Sequence, residues 1–280
     1  MSTSEMPIYF CLNEKKIKNP YWNLALEEAL ALEFCKNSYS LGLRFWRNPL
    51  SAVLGISDEI FRNLSKESLE SAHPMEIPKD RMSVEKKGIY VCRRASGGGT
   101  VYHDSYSNLN YTVFLNLEKY PEFFPVQKSY ETILNGVISS LLKQGIKAEM
   151  SGKSDLCMGT ESGFKKISGN SQFRKRGCLV QHGTLILKKE LIDKVESFLL
   201  HPPAEPEYRK GRKHTDFLTA VPKTFHSEKF QMDMESFFLD QLSIQNAKKV
   251  FSCQYYRTVR RSLGSLLQSR YANKDFIFSR

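Results

Sequence analysis

Three consecutive glycines between two apolar, strand-forming runs restrict this chain more than any other feature of its 280 residues. The segment reads Arg93-Arg94-Ala95-Ser96-Gly97-Gly98-Gly99-Thr100-Val101-Tyr102-His103-Asp104. Glycine costs backbone entropy, so three in a row need a reason. Without Cβ atoms the main chain can approach a ligand closely, and successive N–H groups can form a concave nest for an anion. Arg94 adds a planar, permanently charged fork suited to phosphate or carboxylate. The plain alternative is a flexible hairpin turn. The run is neither the GxxxxGK[ST] phosphate loop nor the GxGxxG dinucleotide fingerprint.

A second segment, Lys165-Lys166-Ile167-Ser168-Gly169-Asn170-Ser171-Gln172, reads as a strand ending in a glycine turn. Alternation predicts Phe164, Lys166 and Ser168 on one face, with Lys165 and Ile167 on the other. Lys166 is then either a pocket cation, able to offset charge developing on an acyl-phosphate, or a solvated edge-strand lysine. Gln181-His182-Gly183-Thr184 opens a strand that turns apolar, where His182 is a structural residue, a ligand contact or an acid–base group. The run 206–218, with Arg209 and Arg212, is a solvated charged loop or an anion-gripping one.

Around these segments the pattern alternates between strand runs and helices. Residues 7–12 read as a strand, and Asn19-Pro20 as an N-cap with proline at the first helical position. Ala25, Leu26, Ala29 and Leu30 mark the helix that follows, with Trp22 at its start. LGLRFW and AVLG read as strands around the Arg47-Asn48-Pro49 turn. The polar stretch 57–87, with prolines at 74 and 78, reads as a helix plus a surface loop. IYVCRR, TVYHD and NLNYTVFLNL continue as strands. The spacing over 125–144 predicts a helix with Val126, Tyr130, Ile133, Leu134, Val137, Leu141 and Leu142 on one face. Strands are expected near 147–150, 155–158, 164–168 and 178–187, and helices at LIDKVESFLL and EKFQMDMESFFLDQL. This order indicates an α+β fold with a largely antiparallel or mixed sheet.

The apolar share of 41% is enough for a real core, and the charged share of 25% is ordinary. A net charge of +11 points to an acidic partner: nucleotide, acidic protein, nucleic acid or anionic membrane. No apolar run reaches the length of a spanning helix, and the first residues lack the pattern of a signal peptide. The six cysteines, at 11, 35, 92, 157, 178 and 253, show neither zinc spacing nor a disulfide framework. No metal site is expected, and the setting expected is cytoplasmic.

Taken together and in order, these segments resemble the lipoate–protein ligase family. RRASGGGTVYHD is similar to that family's RRxSGGGxVxHD signature, and KISGNSQ to its KxSGxA-type strand and turn, with Ser171 where a small residue is usual. QHGTLIL is similar to the HGTLL strand that follows, and PEYRKGRKHTDFLT to a loop of many single-domain members. Ser154-Asp155-Leu156 stands where the family has Asn-Asp-Leu. The resemblance implies the biotin/lipoate ligase catalytic fold, with a large mixed sheet, a smaller sheet and flanking helices. It implies that lipoate is activated with MgATP to lipoyl-AMP and passed to a lysine of a lipoyl carrier domain. It places Arg94, Gly97, Gly98, Gly99, Thr100, Val101, Tyr102, His103, Asp155, Gly169, His182, Gly183, Arg209 and Arg212 at the nucleotide and acyl chain. It gives Lys166 the contact to both the lipoyl carbonyl and the phosphate. Acceptors implied are lipoyl domains of 2-oxoacid dehydrogenase subunits or the glycine-cleavage carrier protein, with a separate accessory protein as a further partner.

The catalytic domain is expected over 1–245. Residues 246–280 are expected as a short basic tail or helix in place of the accessory domain of many bacterial members. Two other activities fit parts of the pattern. An octanoyl- or lipoyl-transferase of the same superfamily uses a cysteine thioester, for which Cys157 is the candidate nucleophile, two residues from Asp155. A basic nucleic-acid-binding module fits the charge, but its cations are spread along the chain and no nucleic-acid motif is present.

Overall fold

In this computed structural model residues 6–73, 76–82, 84 and 88–280 are described. Pro74 and the other remaining positions of the 57–87 stretch lie outside them, as do residues 1–5. The elements follow in order as β1 (Ile8–Asn13), α1 (Pro20–Phe34), β2 (Tyr39–Trp46), β3 (Ser51–Leu54), and the short α2 (Ile60–Asn63) and α3 (Lys66–Glu70). Next come β4 (Tyr90–Arg93), β5 (Val101–His103), β6 (Asn108–Asn116), α4 (Val126–Leu142), β7 (Ala148–Ser151), β8 (Asp155–Thr160), β9 (Gly163–Lys175) and β10 (Cys178–Ile186). The chain closes with α5 (Glu190–Phe198), α6 (His214–Phe217), α7 (Ser227–Gln241), β11 (Lys248–Lys249), α8 (Ser252–Leu266) and α9 (Lys274–Ile277).

Eight strands form one mixed sheet in the order β11-β1-β2-β6-β10-β9-β8-β7, and three form a second in the order β4-β3-β5. β1 runs parallel to both its neighbours, while every pair from β2 to β7 is antiparallel. Each face of the large sheet has its own core. Leu41, Leu43, Phe45, Tyr111, Val113, Leu115 and Leu179 pack against α4 and α7. Phe10, Leu12, Phe114, Cys178 and Val180 pack against α1, α8 and the small sheet. This α+β arrangement is the expected one.

α1 starts as its sequence dictates. Asn19 Oδ1 accepts from the N–H of Tyr21 at 3.0 Å and of Trp22 at 3.5 Å, and Pro20 needs no N–H partner. The helix is buried on nearly all sides, because α8 covers what the sheet leaves open. Its two mid-helix acids, Glu27 and Glu28, are therefore buried. Burial on this scale requires partners. Glu28 takes Arg270 Nη1 at 2.9 Å, Tyr271 Oη–H at 2.6 Å and Lys175 Nζ at 3.1 Å.

Three expectations are corrected. In α4 the apolar face holds from Ile133 to Leu141, but Val126 and Leu142 project outward at the helix ends. Gly169 is not a turn: β9 runs unbroken through it to Lys175. In the β8–β9 register Leu156 pairs with Ser168 and Cys157 with Lys166, so Ile167 is an extra residue in a bulge. The bulge shifts the alternation. Ser168 faces Tyr111 and Asn170, whereas Lys166 lies on the opposite face with Asp155 and Gly169. Lys166 and Ser168 therefore do not share a face.

Candidate functional site

The glycine loop leaves β4 of the small sheet and lies against β9 and β10 of the large one. Arg94 anchors it from below. Its Nη2 donates to the carbonyls of Gly97, Gly98 and Gly99 at 2.6, 2.8 and 2.9 Å, its Nη1 to Val53 O at 3.0 Å, and its Nε to Ser96 Oγ at 3.0 Å. Burial lowers this guanidinium to about 10, so it stays charged at neutral pH. In a trans peptide the N–H points opposite to the preceding carbonyl. Three carbonyls on one guanidinium thus turn the N–H groups of Gly98, Gly99 and Thr100 away from it, and among the described residues these have no acceptor. Gly98 has φ +82° and so needs glycine, while a Cβ at Gly97 or Gly99 would meet open space. Ser171 Oγ on β9 donates to Gly97 O at 2.8 Å and joins the loop to the large sheet.

At the base of the loop runs a buried polar relay. Ser96 Oγ lies 2.6 Å from His182 Nε2, and His182 Nδ1 lies 2.7 Å from Glu27 Oε2. Thr112 Oγ1 donates to Glu27 Oε1 at 2.6 Å, and Trp46 Nε1 donates to Thr112 at 3.1 Å. Burial alone would raise Glu27. The His182 ring, the Thr112 hydroxyl and Arg44 outweigh it and hold the carboxyl below its usual range. A carboxylate only accepts, so His182 Nδ1 is the donor to Glu27. Gly183 follows because a side chain there would overlap Asn170 and Tyr111.

His103 is buried beside this relay. Asn48 Nδ2 lies 3.2 Å from its Nδ1 and Thr184 Oγ1 3.0 Å from its Nε2. Burial, with the Arg94 charge, drives His103 down to about 3, so it is neutral. Tyr102 turns into the core and stacks on Phe198 at 5.4 Å, and Val101 is half-buried. Thr100 Oγ1 donates to Asp58 Oδ2 at 2.7 Å.

The second group surrounds Lys166, two residues before Gly169's neighbour Ser168 on the strand that carries Ser171. Lys166 Nζ is 2.9 Å from Asp155 Oδ1 and 5.9 Å from the Phe217 ring. A Cβ at Gly169 would sit 2.9 Å from that ammonium, so glycine leaves it room. Tyr208 Oη donates to Asp155 Oδ2 at 2.6 Å. Burial and the Asp155 charge push the phenol up, so it keeps its proton. Cys157 Sγ is 3.8 Å from the same Oη, fully buried, and burial pushes its thiol up. Arg209 and Arg212 lie over Phe217 at 4.8 and 5.2 Å and exchange bonds with each other's carbonyls at 2.9 and 3.0 Å. Buried Arg209 Nη2 has no hydrogen-bond partner among the described residues.

The expected residues thus fall in two adjoining groups. One is Arg94, Gly97, Gly98, Gly99, Thr100, His182 and Gly183. The other is Asp155, Cys157, Lys166, Gly169, Arg209 and Arg212. Val101, Tyr102 and His103 lead from the first into the core. Sequence reasoning missed Glu27, Thr112 and Tyr208. Glu27 had a signal, an acidic pair inside an otherwise apolar helix. Tyr208 lay in the 206–218 run already singled out, but not as a site residue; Thr112 had no signal, since its role comes from strand pairing.

The geometry sets a glycine loop with outward N–H groups and a half-buried lysine on the same strand system, the donors and charge that an anion requires. Residues 19–236 match the model of the lipoyl protein ligase A/B catalytic domain. The chain belongs to this family. It is 29% identical over 273 residues to the lipoate-protein ligase LplJ of Bacillus subtilis, covering 96% of this chain and 73% of that protein. It is 31% identical over 195 residues to the lipoate-protein ligase A of Blochmanniella pennsylvanica, covering 69% of this chain and 48% of that protein. The chain therefore spans about half the length of the latter. The fold is that of a bi-partite lipoate protein ligase from Thermoplasma acidophilum, with a TM-score of 0.69 at 18% identity over 98% of this chain and 96% of that one. No helix among the described residues is long and apolar enough to cross a membrane.

Proposed function

We propose that this chain is an ATP-dependent lipoate–protein ligase. Lipoate and MgATP form lipoyl-AMP and pyrophosphate. The ε-amine of an acceptor lysine then attacks the lipoyl carbonyl and expels AMP. The observation that carries this reading is Lys166, whose ammonium is held half-buried between Asp155 and Gly169 on the strand that meets the glycine loop. Such a mixed anhydride needs positioning and charge neutralisation more than covalent catalysis. In this reading Lys166 neutralises charge on the carbonyl and phosphate oxygens, and the N–H groups of Gly98, Gly99 and Thr100 receive the anion. Arg94 holds the loop, His182 and Gly183 line the acyl side, and Asp155 orients Lys166. The spare Nη2 of Arg209 is a further donor for the anion, with Arg212 bracing its loop.

The acceptor is a lipoyl domain of a 2-oxoacid dehydrogenase subunit or a glycine-cleavage carrier protein, in a cytoplasmic setting. Residues 1–245 are the catalytic unit in this reading, and 246–280 add an edge strand and the helices α8 and α9 to it, with activation by this chain alone or together with an accessory protein. Cys157 is the alternative nucleophile of a thioester transferase, and its burial and raised thiol count against that role.

Mass spectrometry of an apo-lipoyl domain incubated with the chain tests the reading. Lipoylation from free lipoate and ATP is expected. Lipoylation from synthetic lipoyl-AMP alone assigns activation to an accessory protein. Acylation only from an octanoyl-carrier thioester, without ATP, overturns the ligase in favour of the transferase.

A further inference from the structure

Arg93, the residue before the loop's own arginine, is fully buried and makes no ion pair among the described residues. Its partners are backbone carbonyls from two distant segments. Nε and Nη2 donate to Ile277 O at 3.0 and 2.8 Å, and Nη1 donates to Gly55 O at 2.8 Å and Asp58 O at 2.7 Å. Ile277 lies in α9, close to the far end of the sequence. Residues 55–58 form the turn on which the glycine loop rests. Asp58 Oδ2 accepts from Thr100 Oγ1 at 2.7 Å and from Gly55 N at 3.0 Å. Ile56 N donates to Ser96 O at 2.8 Å, and a Cβ at Gly55 would collide with the Gly98 carbonyl. One rigid fork therefore ties α9, the 55–58 turn and the loop together.

We propose that the C-terminal segment 272–280 is a positioning element for the glycine loop and that Arg93 is the positioning residue through which it acts. The α9 carbonyl fixes the guanidinium, the guanidinium fixes the 55–58 turn, and Asp58 presents Thr100 and the loop to the ligand. A guanidinium serves these carbonyls at once because its five N–H groups lie in one plane. An ammonium, a point charge on a flexible stem, cannot. The link of this relay to acyl-adenylate binding rests on the ligase reading, whereas the relay itself does not.

The decisive measurement is amide hydrogen exchange of the ligand-free chain at Gly55 and Ile56, with Val113 of β6 as the core control. Deletion of 272–280 and Arg93→Lys are each expected to speed exchange at Gly55 and Ile56 at least ten-fold and to leave Val113 unchanged. Combining them is expected to add nothing further, as for two breaks in one line. Unchanged exchange at Gly55 and Ile56 in Arg93→Lys overturns the proposal, and so do multiplied effects in the double variant. Should the truncated chain fail to fold, Arg93→Lys decides alone at the same two amides. A non-hydrolysable lipoyl-adenylate mimic is expected to bind Arg93→Lys about ten-fold more weakly under conditions where the variant stays folded. If that mimic fails to bind the unaltered chain, the ligase reading falls while the exchange result still stands or falls alone.

Discussion

Lys166 and Asp155 meet across β8 and β9 with Nζ 2.9 Å from Oδ1 because Ile167 bulges out of the ladder between them. Strict alternation puts Lys166 on the face of Ser168. One extra residue turns it instead toward Gly169 and Asp155. The lysine pairs with a carboxylate that also accepts from Tyr208, so its ammonium is held in place before any ligand arrives. A preorganised charge costs no reorganisation during the reaction.

Replacing Lys166 with alanine is expected to remove about 2–4 kcal/mol of transition-state stabilisation, a rate loss of roughly 30- to 1000-fold. Lys165 points elsewhere, its Nζ 3.4 Å from Thr215 O in an exposed contact. Lys165→Ala is therefore expected to stay within about three-fold of the unaltered chain, in line with an exposed contact. Single-turnover acylation of a lipoyl domain measures both, and equal losses contradict the assignment.

Gly98→Val places a β-branched residue at φ +82° with its Cβ 3.2 Å from Arg94 Nη2. Arg94→Ala frees the three carbonyls that the guanidinium gathers. Both changes are expected to weaken binding of a non-hydrolysable lipoyl-adenylate mimic at least ten-fold by calorimetry. Undiminished affinity in both variants makes the glycines a simple turn.

Cys157→Ser is expected to keep most of the transfer from free lipoate and ATP, since no acyl-enzyme is required of a buried, protonated thiol. A dead variant whose parent needs only a carrier thioester shows a transferase.

His103 gives stability a pH dependence. Its folded value of about 3 lies below the ordinary 6.5, so the contribution is fully present above 6.5 and is lost as pH falls toward 3. In that window the unfolded chain binds a proton that the folded chain refuses. Unfolding in urea is expected to become about 2 kcal/mol easier at pH 5 than at pH 7.5 through this one residue. His103→Gln, which keeps an acceptor and a donor, is expected to flatten that slope. An unaltered slope places the dependence on other groups.

Much of the fold was legible in local pattern. The Asn19-Pro20 start, the apolar run of α1, the stripe from Ile133 to Leu141 and the strand runs around the glycines all form where propensity and periodicity put them. The glycine loop also stood out, because three glycines are costly without a reason, whereas simple alternation misassigns the face of Lys166.

The tertiary structure decided what those residues face. The bulge at Ile167 depends on how β9 pairs with β8, and it alone turns Lys166 toward Asp155. Glu27 becomes part of the site because His182 arrives 155 positions later on β10. Arg93 and Arg94, adjacent and identical in sequence, part company for the same reason: one reaches α9 and the other the loop carbonyls. Periodicity reports which side of an element is apolar. Which polar groups meet is set by long-range pairing, where a buried charge is tolerated only if distant segments bring it partners.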